Sequence, residues 1–236
     1  MNTQAILTQL NQLSHPENLP GMARFGINTG RALGLSMPEI RRMASSIRKA
    51  YPRRDPALHT LAAGLWETGI HEARILAALI DLPGQVTPEQ MDHWAAGFDS
   101  WDVVDQTCGA LFVETPYAVE KAHSWSARPE EYIKRAGFVL MAELAVHAHH
   151  LPEEALVGFL PVIEREAWDE RNFIKKAENW ALRQIGKRSP ALNEQAVWCC
   201  QRITAQGTRS ARWIAADALR ELCSAEVQAR LVKKPV

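Results

Sequence analysis

Helical periodicity dominates the apolar positions of this chain, and no segment sustains the apolar–polar alternation with β-branched enrichment that a strand requires. The pattern predicts an all-α protein. Breaks fall where helices should begin: Ser36-Met37-Pro38-Glu39, Asp55-Pro56, Thr87-Pro88-Glu89, Thr115-Pro116, Arg128-Pro129-Glu130, Leu151-Pro152-Glu153 and Ser189-Pro190. Proline suits a first helical position because its missing N–H is one the helix leaves unpaired anyway. These signals predict roughly a dozen helices joined by short loops.

The C-terminal half repeats itself. Ile133-Lys134-Arg135-Ala136 returns 41 residues later as Ile174-Lys175-Lys176-Ala177, and Ala181-Leu182-Arg183 returns 37 residues later as Ala218-Leu219-Arg220. A period near 40 in helical sequence predicts paired helices stacked as a HEAT-like solenoid, an α-α superhelix forming one domain over residues 1–236. Equivalent helices would line a concave face, so that Arg135, Lys176 and Arg212 form a positive stripe suited to a phosphate backbone. Chance matches of three or four residues in a helical-hairpin protein are the competing explanation.

Composition narrows the class. Apolar residues are 47% and charged residues 23% of the 236, with 13 Gly and 13 Pro, which excludes disordered and collagen-like chains. The four cysteines, Cys108, Cys199, Cys200 and Cys223, show neither zinc-ligand nor disulfide-framework spacing. The first thirteen residues lack the basic start and apolar core of a signal peptide, and no apolar run reaches membrane-spanning length. A cytoplasmic protein is expected, with monomer as the default state of a capped solenoid.

Charge adds an asymmetry. Lys and Arg total 27, as do Asp and Glu, yet residues 1–120 hold nine basic against 13 acidic residues and residues 121–236 hold 18 against 14. Between Arg171 and Arg188 the cations Arg171, Lys175, Lys176, Arg183, Lys187 and Arg188 meet a single acid, Glu178. A polyanion would be drawn there.

Three stretches carry candidate chemistry. In Ser100-Trp101-Asp102-Val103-Val104-Asp105, a helix capped by Ser100 and running to about Phe112 puts Trp101 and Asp105 on one face. Tyr132-Ile133-Lys134-Arg135-Ala136 supplies an arginine near another helix start, and Phe173 to Arg183 places Trp180 inside a basic helix.

These stretches resemble, in order and across roughly residues 20–225, the AlkD family of DNA glycosylases. The resemblance implies a HEAT-like fold and excision of N3- and N7-alkylated purines from double-stranded DNA, with no metal or organic cofactor and without flipping the base into a pocket. By similarity Asp105 is the catalytic carboxylate, and Trp101, Trp180 and Arg135 contact the lesion-bearing backbone. Lys134, Lys175, Lys176, Arg183 and Arg212 become candidate DNA-binding residues. From Pro20 to Glu39 the family's Gly-Ile and helix-start pattern is matched only with inserted residues, and Gly21 and Ala23 stand where aromatic and polar contacts are expected. Arg24, with Asn28 and Arg31, would then hold phosphates instead.

Bland readings stand beside each of these. Either indole could be core, Asp105 could form a structural ion pair with Arg135, and the lysines could be a solvated helix face. Glu143 and His147 have the spacing of a helical metal pair but suit a helix terminus better, and no metal site is expected. The runner-up function is a non-catalytic HEAT-like module that binds DNA or a protein partner.

Overall fold

The computed structural model describes residues 2–232, which hold fifteen α-helices and no strand. They fall into two compact units, one ending at Thr115 and the other beginning at Pro116. Among the described residues no helix is long and apolar enough to cross a membrane.

The first unit comprises α1 (Thr3–Gln12), α2 (Leu19–Arg24), α3 (Met37–Lys49), α4 (Ala57–Trp66), α5 (His71–Ile80), α6 (Pro88–Ala96) and α7 (Trp101–Ala110). Helix starts follow the proline signals. Ser36 donates its backbone N–H and its hydroxyl to Glu39 at 2.8 and 2.6 Å, and Thr87 Oγ1 accepts the Gln90 N–H at 3.2 Å. The additional helices beyond a dozen are short ones such as α2, whose Asn18 cap position and Pro20 in the first turn are not among the helix starts that the sequence pattern singles out. In the core, Trp66 and Trp94 stack with ring centroids 4.2 Å apart while Phe98 meets Trp66 edge-on at 5.9 Å.

Between α2 and α3 the chain has no regular structure, so its backbone donors need partners. Glu72, wholly buried on α5, supplies them: its carboxylate accepts the N–H groups of Leu33, Gly34 and Leu35 at 2.8, 2.7 and 3.2 Å. Gly34 adopts φ +85°, and a Cβ there would lie 2.1 Å from the His15 carbonyl oxygen, so only glycine fits.

The second unit contains α8 (Ala118–Ser126), α9 (Glu131–His147), α10 (Glu153–Val157), α11 (Leu160–Glu166), α12 (Asn172–Gly186), α13 (Pro190–Ala205), α14 (Arg209–Leu222) and α15 (Ala225–Val232). Here the repeat is visible in the bonding. Arg135 Nη1 donates to the Phe173 carbonyl, Arg188 to those of Ala145 and Ala148, and Asn179 to that of Ile214, joining residues 35 to 43 apart. That steady offset makes α9, α12 and α14 parallel neighbours in one layer. In the other layer α8 packs on α9, and α13 packs on both α12 and α14.

Beneath this layer lies an ionic cluster. Lys134, 3% exposed, donates to Glu166 at 2.9 Å and Asp169 at 3.0 Å. Burial opposes ionisation of Asp169, yet hydrogen bonds from Arg171 and Lys134 hold its carboxyl at about 2. Glu178, fully buried on α12, has no hydrogen-bond partner for either carboxyl oxygen among the described residues. Burial, joined by the charges of Asp169 and Glu166, pushes it well above the usual carboxylate range despite Lys134 and Arg171.

A pH dependence follows from Glu178. The folded protein keeps this proton where the unfolded chain, titrating near 4.5, has released it. With more protons bound folded than unfolded, stability must fall as pH rises above that value, by up to about 1.4 kcal/mol per pH unit for one group. Thermal melts should therefore show Glu178→Gln gaining on the wild type as pH is raised from 4.5. Parallel melting curves would mean the carboxyl titrates normally.

Candidate functional site

In the first unit the start of α7 is bound by the segment after α2. Trp101, half-buried, donates its indole N–H to the Phe25 carbonyl at 3.1 Å, and the Arg24 guanidinium lies 5.8 Å over the Phe25 ring. Asn28 donates its backbone N–H to Ser100 Oγ at 3.3 Å and its side-chain amide to Asp99 at 3.0 Å. Trp101 thus packs on backbone and stays partly exposed. Asp105, also half-buried, follows one turn later on the same side of α7, about 6 Å along the axis.

Ser100 occupies the expected cap position, but its hydroxyl is used differently. It donates to Asp102 Oδ1 at 2.6 Å, and α7 ends at Ala110 rather than Phe112, where a tighter turn over Phe112–Glu114 begins. Asp102 also meets buried His71 Nε2 at 2.9 Å and accepts the Val103 N–H at 3.0 Å. Burial works against its charge, but the bonds from His71, Ser100 and Val103 prevail and hold the carboxyl below its ordinary value. This His71–Asp102–Ser100 set fixes the helix that carries Trp101 and Asp105. Asp102 was visible in the sequence only as a first-turn acid, and His71, 31 residues away, gave no signal.

In the second unit the expected phosphate contacts sort into two groups. Lys134 and Arg135 are 3% and 6% exposed. Lys134 is held by Glu166 and Asp169 with its ammonium 5.1 Å over Trp168, and Arg135 binds the Phe173 carbonyl at 2.6 Å. Neither is disposed to meet a phosphate as expected, because both face inward onto neighbouring helices. Lys176 and Arg212 are exposed, Trp180 is half-buried, and Lys175 lies 5.5 Å over the exposed Trp213 ring. Arg183 pairs with Glu221, which Lys187 also contacts at 2.7 Å. Phe173, Lys176, Trp180 and Arg183 share one face of α12, interleaving aromatic and basic groups as nucleic-acid surfaces do.

Glu143 and His147 pair with each other at 3.1 Å near the end of α9. Cys108, Cys199 and Cys200 are buried, and burial pushes the latter two thiols up to about 12, which removes them from nucleophilic chemistry.

Among solved structures the chain is similar to a protein described as one of a new family related to the HEAT-like repeat DNA glycosylases with affinity for branched DNA structures. The TM-score is 0.72 at 19% identity, over 86% of this chain and 83% of that one, a likeness of fold. No curated protein matches the sequence significantly. The model of the DNA alkylation repair enzyme family matches residues 6–222, and the chain belongs to that family.

Proposed function

We propose that this protein hydrolyses the N-glycosidic bond of purines carrying a cationic N3- or N7-alkyl group in duplex DNA. Alkylation at either nitrogen places a formal positive charge on the base, which then departs neutral without a general acid. The remaining task is to offset charge developing on the deoxyribose and to deliver water to C1′. The observation that carries the reading is the pair on α7, with a carboxylate one turn beyond a partly open indole. Asp105 offsets the sugar cation and aligns the water, whose oxygen bonds to C1′ as the C1′–N9 bond breaks with its electron pair going to the base, and the water's proton passes to solvent. Trp101 offers an aromatic face to the sugar cation, worth about 0.5–2 kcal/mol, and Trp180 offers one to DNA lying on the second unit. Lys176, Arg183 and Arg212 attract the backbone, while Arg135 and Lys134 set the position of α12.

Purified protein incubated with methylated duplex DNA should release free 7-methylguanine or 3-methyladenine and leave abasic sites. No release alongside tight binding would favour the second reading, a non-catalytic module for DNA of unusual shape. Two observations support that alternative: the affinity for branched DNA ascribed to the structural relative, and the inward commitment of Lys134 and Arg135.

A further inference from the structure

We propose that α3 and the turn after it form a separate phosphate-binding face that grips the backbone of duplex DNA outside the residues assigned to chemistry. The inference rests on the reading above for its choice of DNA.

Of the nine Lys and Arg in residues 1–120, six fall between positions 41 and 54: Arg41, Arg42, Arg48, Lys49, Arg53 and Arg54. No acid lies between Glu39 and Asp55. All six are exposed, and none forms an ion pair with a carboxylate among the described residues. In the second unit, by contrast, Lys134, Arg171, Arg183, Lys187 and Arg202 each meet a carboxylate, although Lys176 and Arg212 do not among the described residues. In a chain with no net charge the α3 cations are thus locally uncompensated, and like charges on adjacent turns repel. A polyanion relieves that repulsion and gains the entropy of released counterions.

The geometry suits a backbone. Arg41-Ser45-Arg48 and Arg42-Ser46-Lys49 form two adjacent rows at helical spacing, each spanning about 10 Å. Exposed serine hydroxyls between cations can donate to phosphate oxygens, as side-chain hydroxyls commonly do. A groove of about 410 Å³ runs here, lined by Arg41, Ala44, Ser45, Arg48, Lys49 and Leu79. Arg48 Nη2 bonds the Asp81 carbonyl at 3.3 Å, which holds that side chain at the groove. A membrane is the poorer occupant. Surface helices that lie in lipid present an apolar face to it, whereas the apolar residues of α3, Ile40, Met43, Ala44 and Ile47, are buried in the unit.

The test uses the full-length chain, an undamaged labelled duplex and a salt titration. Neutralising Arg41, Arg42 and Lys49 together, each to Gln, should reduce the slope of log affinity against log salt by about 3, one for each phosphate that no longer meets a cation. Release of methylated bases, measured in parallel, separates the two claims. An unchanged slope with excision intact overturns the α3 face alone; a reduced slope in a protein that excises nothing overturns the glycosylase reading and leaves the face standing. Should the wild type ignore duplex DNA but bind phosphatidylserine vesicles through these same cations, the DNA assignment is overturned.

Discussion

Replacing Asp105 by Asn is expected to lower release of methylated purines by about 10²–10³-fold, the scale on which losing one preorganised electrostatic stabiliser acts. Asn keeps the volume and hydrogen-bonding reach of the side chain but carries no charge to offset a sugar cation. Duplex affinity should stay near wild type, and a melting curve recorded in parallel separates loss of chemistry from loss of fold. Asp102→Asn supplies the contrast. Its carboxylate meets His71, Ser100 and the Val103 N–H, so that substitution should lower the melting temperature, with activity falling only as folded protein is lost. If Asp105→Asn excised at the wild-type rate, the charge assigned to it would be irrelevant to the chemistry.

Fold class was legible because helix starts and repeat spacing are local or periodic signals. Ser36, Thr87 and Ser189 each sit just before the helix they announce, and the 41- and 37-residue echoes correspond to the parallel register of α9, α12 and α14. A short helix such as α2 escaped, since six residues hold too little periodicity to read. The segment between α2 and α3 was illegible for a different reason. What orders it is a carboxylate about forty residues downstream, Glu72, and nothing in the local sequence distinguishes that acid from a solvated one.

The candidate residues divide along the same line. Sequence could place Trp101 beside Asp105 because four-residue spacing alone decides it. It could not tell Lys134 from Lys176, because burial depends on which helix packs alongside. The motif Ile-Lys-(Arg/Lys)-Ala puts Lys134 and Lys175 in equivalent positions, and each lies over an indole, Trp168 or Trp213. The following position differs: Arg135 is buried and Lys176 exposed, since Phe173 of the next repeat reaches Arg135. The α3 cations went unweighted for a simpler reason. Net charge over residues 1–120 is negative, and an average over the half hides a run of six within fourteen residues.

Lys134→Met should destabilise the fold by about 3–5 kcal/mol, the usual cost of removing one partner from a buried ion pair, and it separates the structural from the DNA-binding role. Methionine keeps the length of the stem, so the loss comes from charge rather than from a cavity. Without the ammonium, Glu166 and Asp169 remain close together at 12% and 3% side-chain exposure, with Arg171 left to compensate Asp169 and the exposed Arg165 left to compensate Glu166. The upward push on Glu178 then has one fewer opposing charge. A urea midpoint well below that of wild type is the expected result, and adding Glu166→Gln should recover part of it, because the second substitution removes a carboxylate that has lost its buried partner and keeps only the exposed Arg165. Lys176→Met is the matched control on an exposed position of the next repeat: stability within about 0.5 kcal/mol of wild type, and a salt slope for DNA binding reduced by about 1. Were Lys134→Met instead as stable as wild type and weaker on DNA, its ammonium would be reaching phosphate, and the inward pairing with Glu166 and Asp169 would not describe the protein in solution.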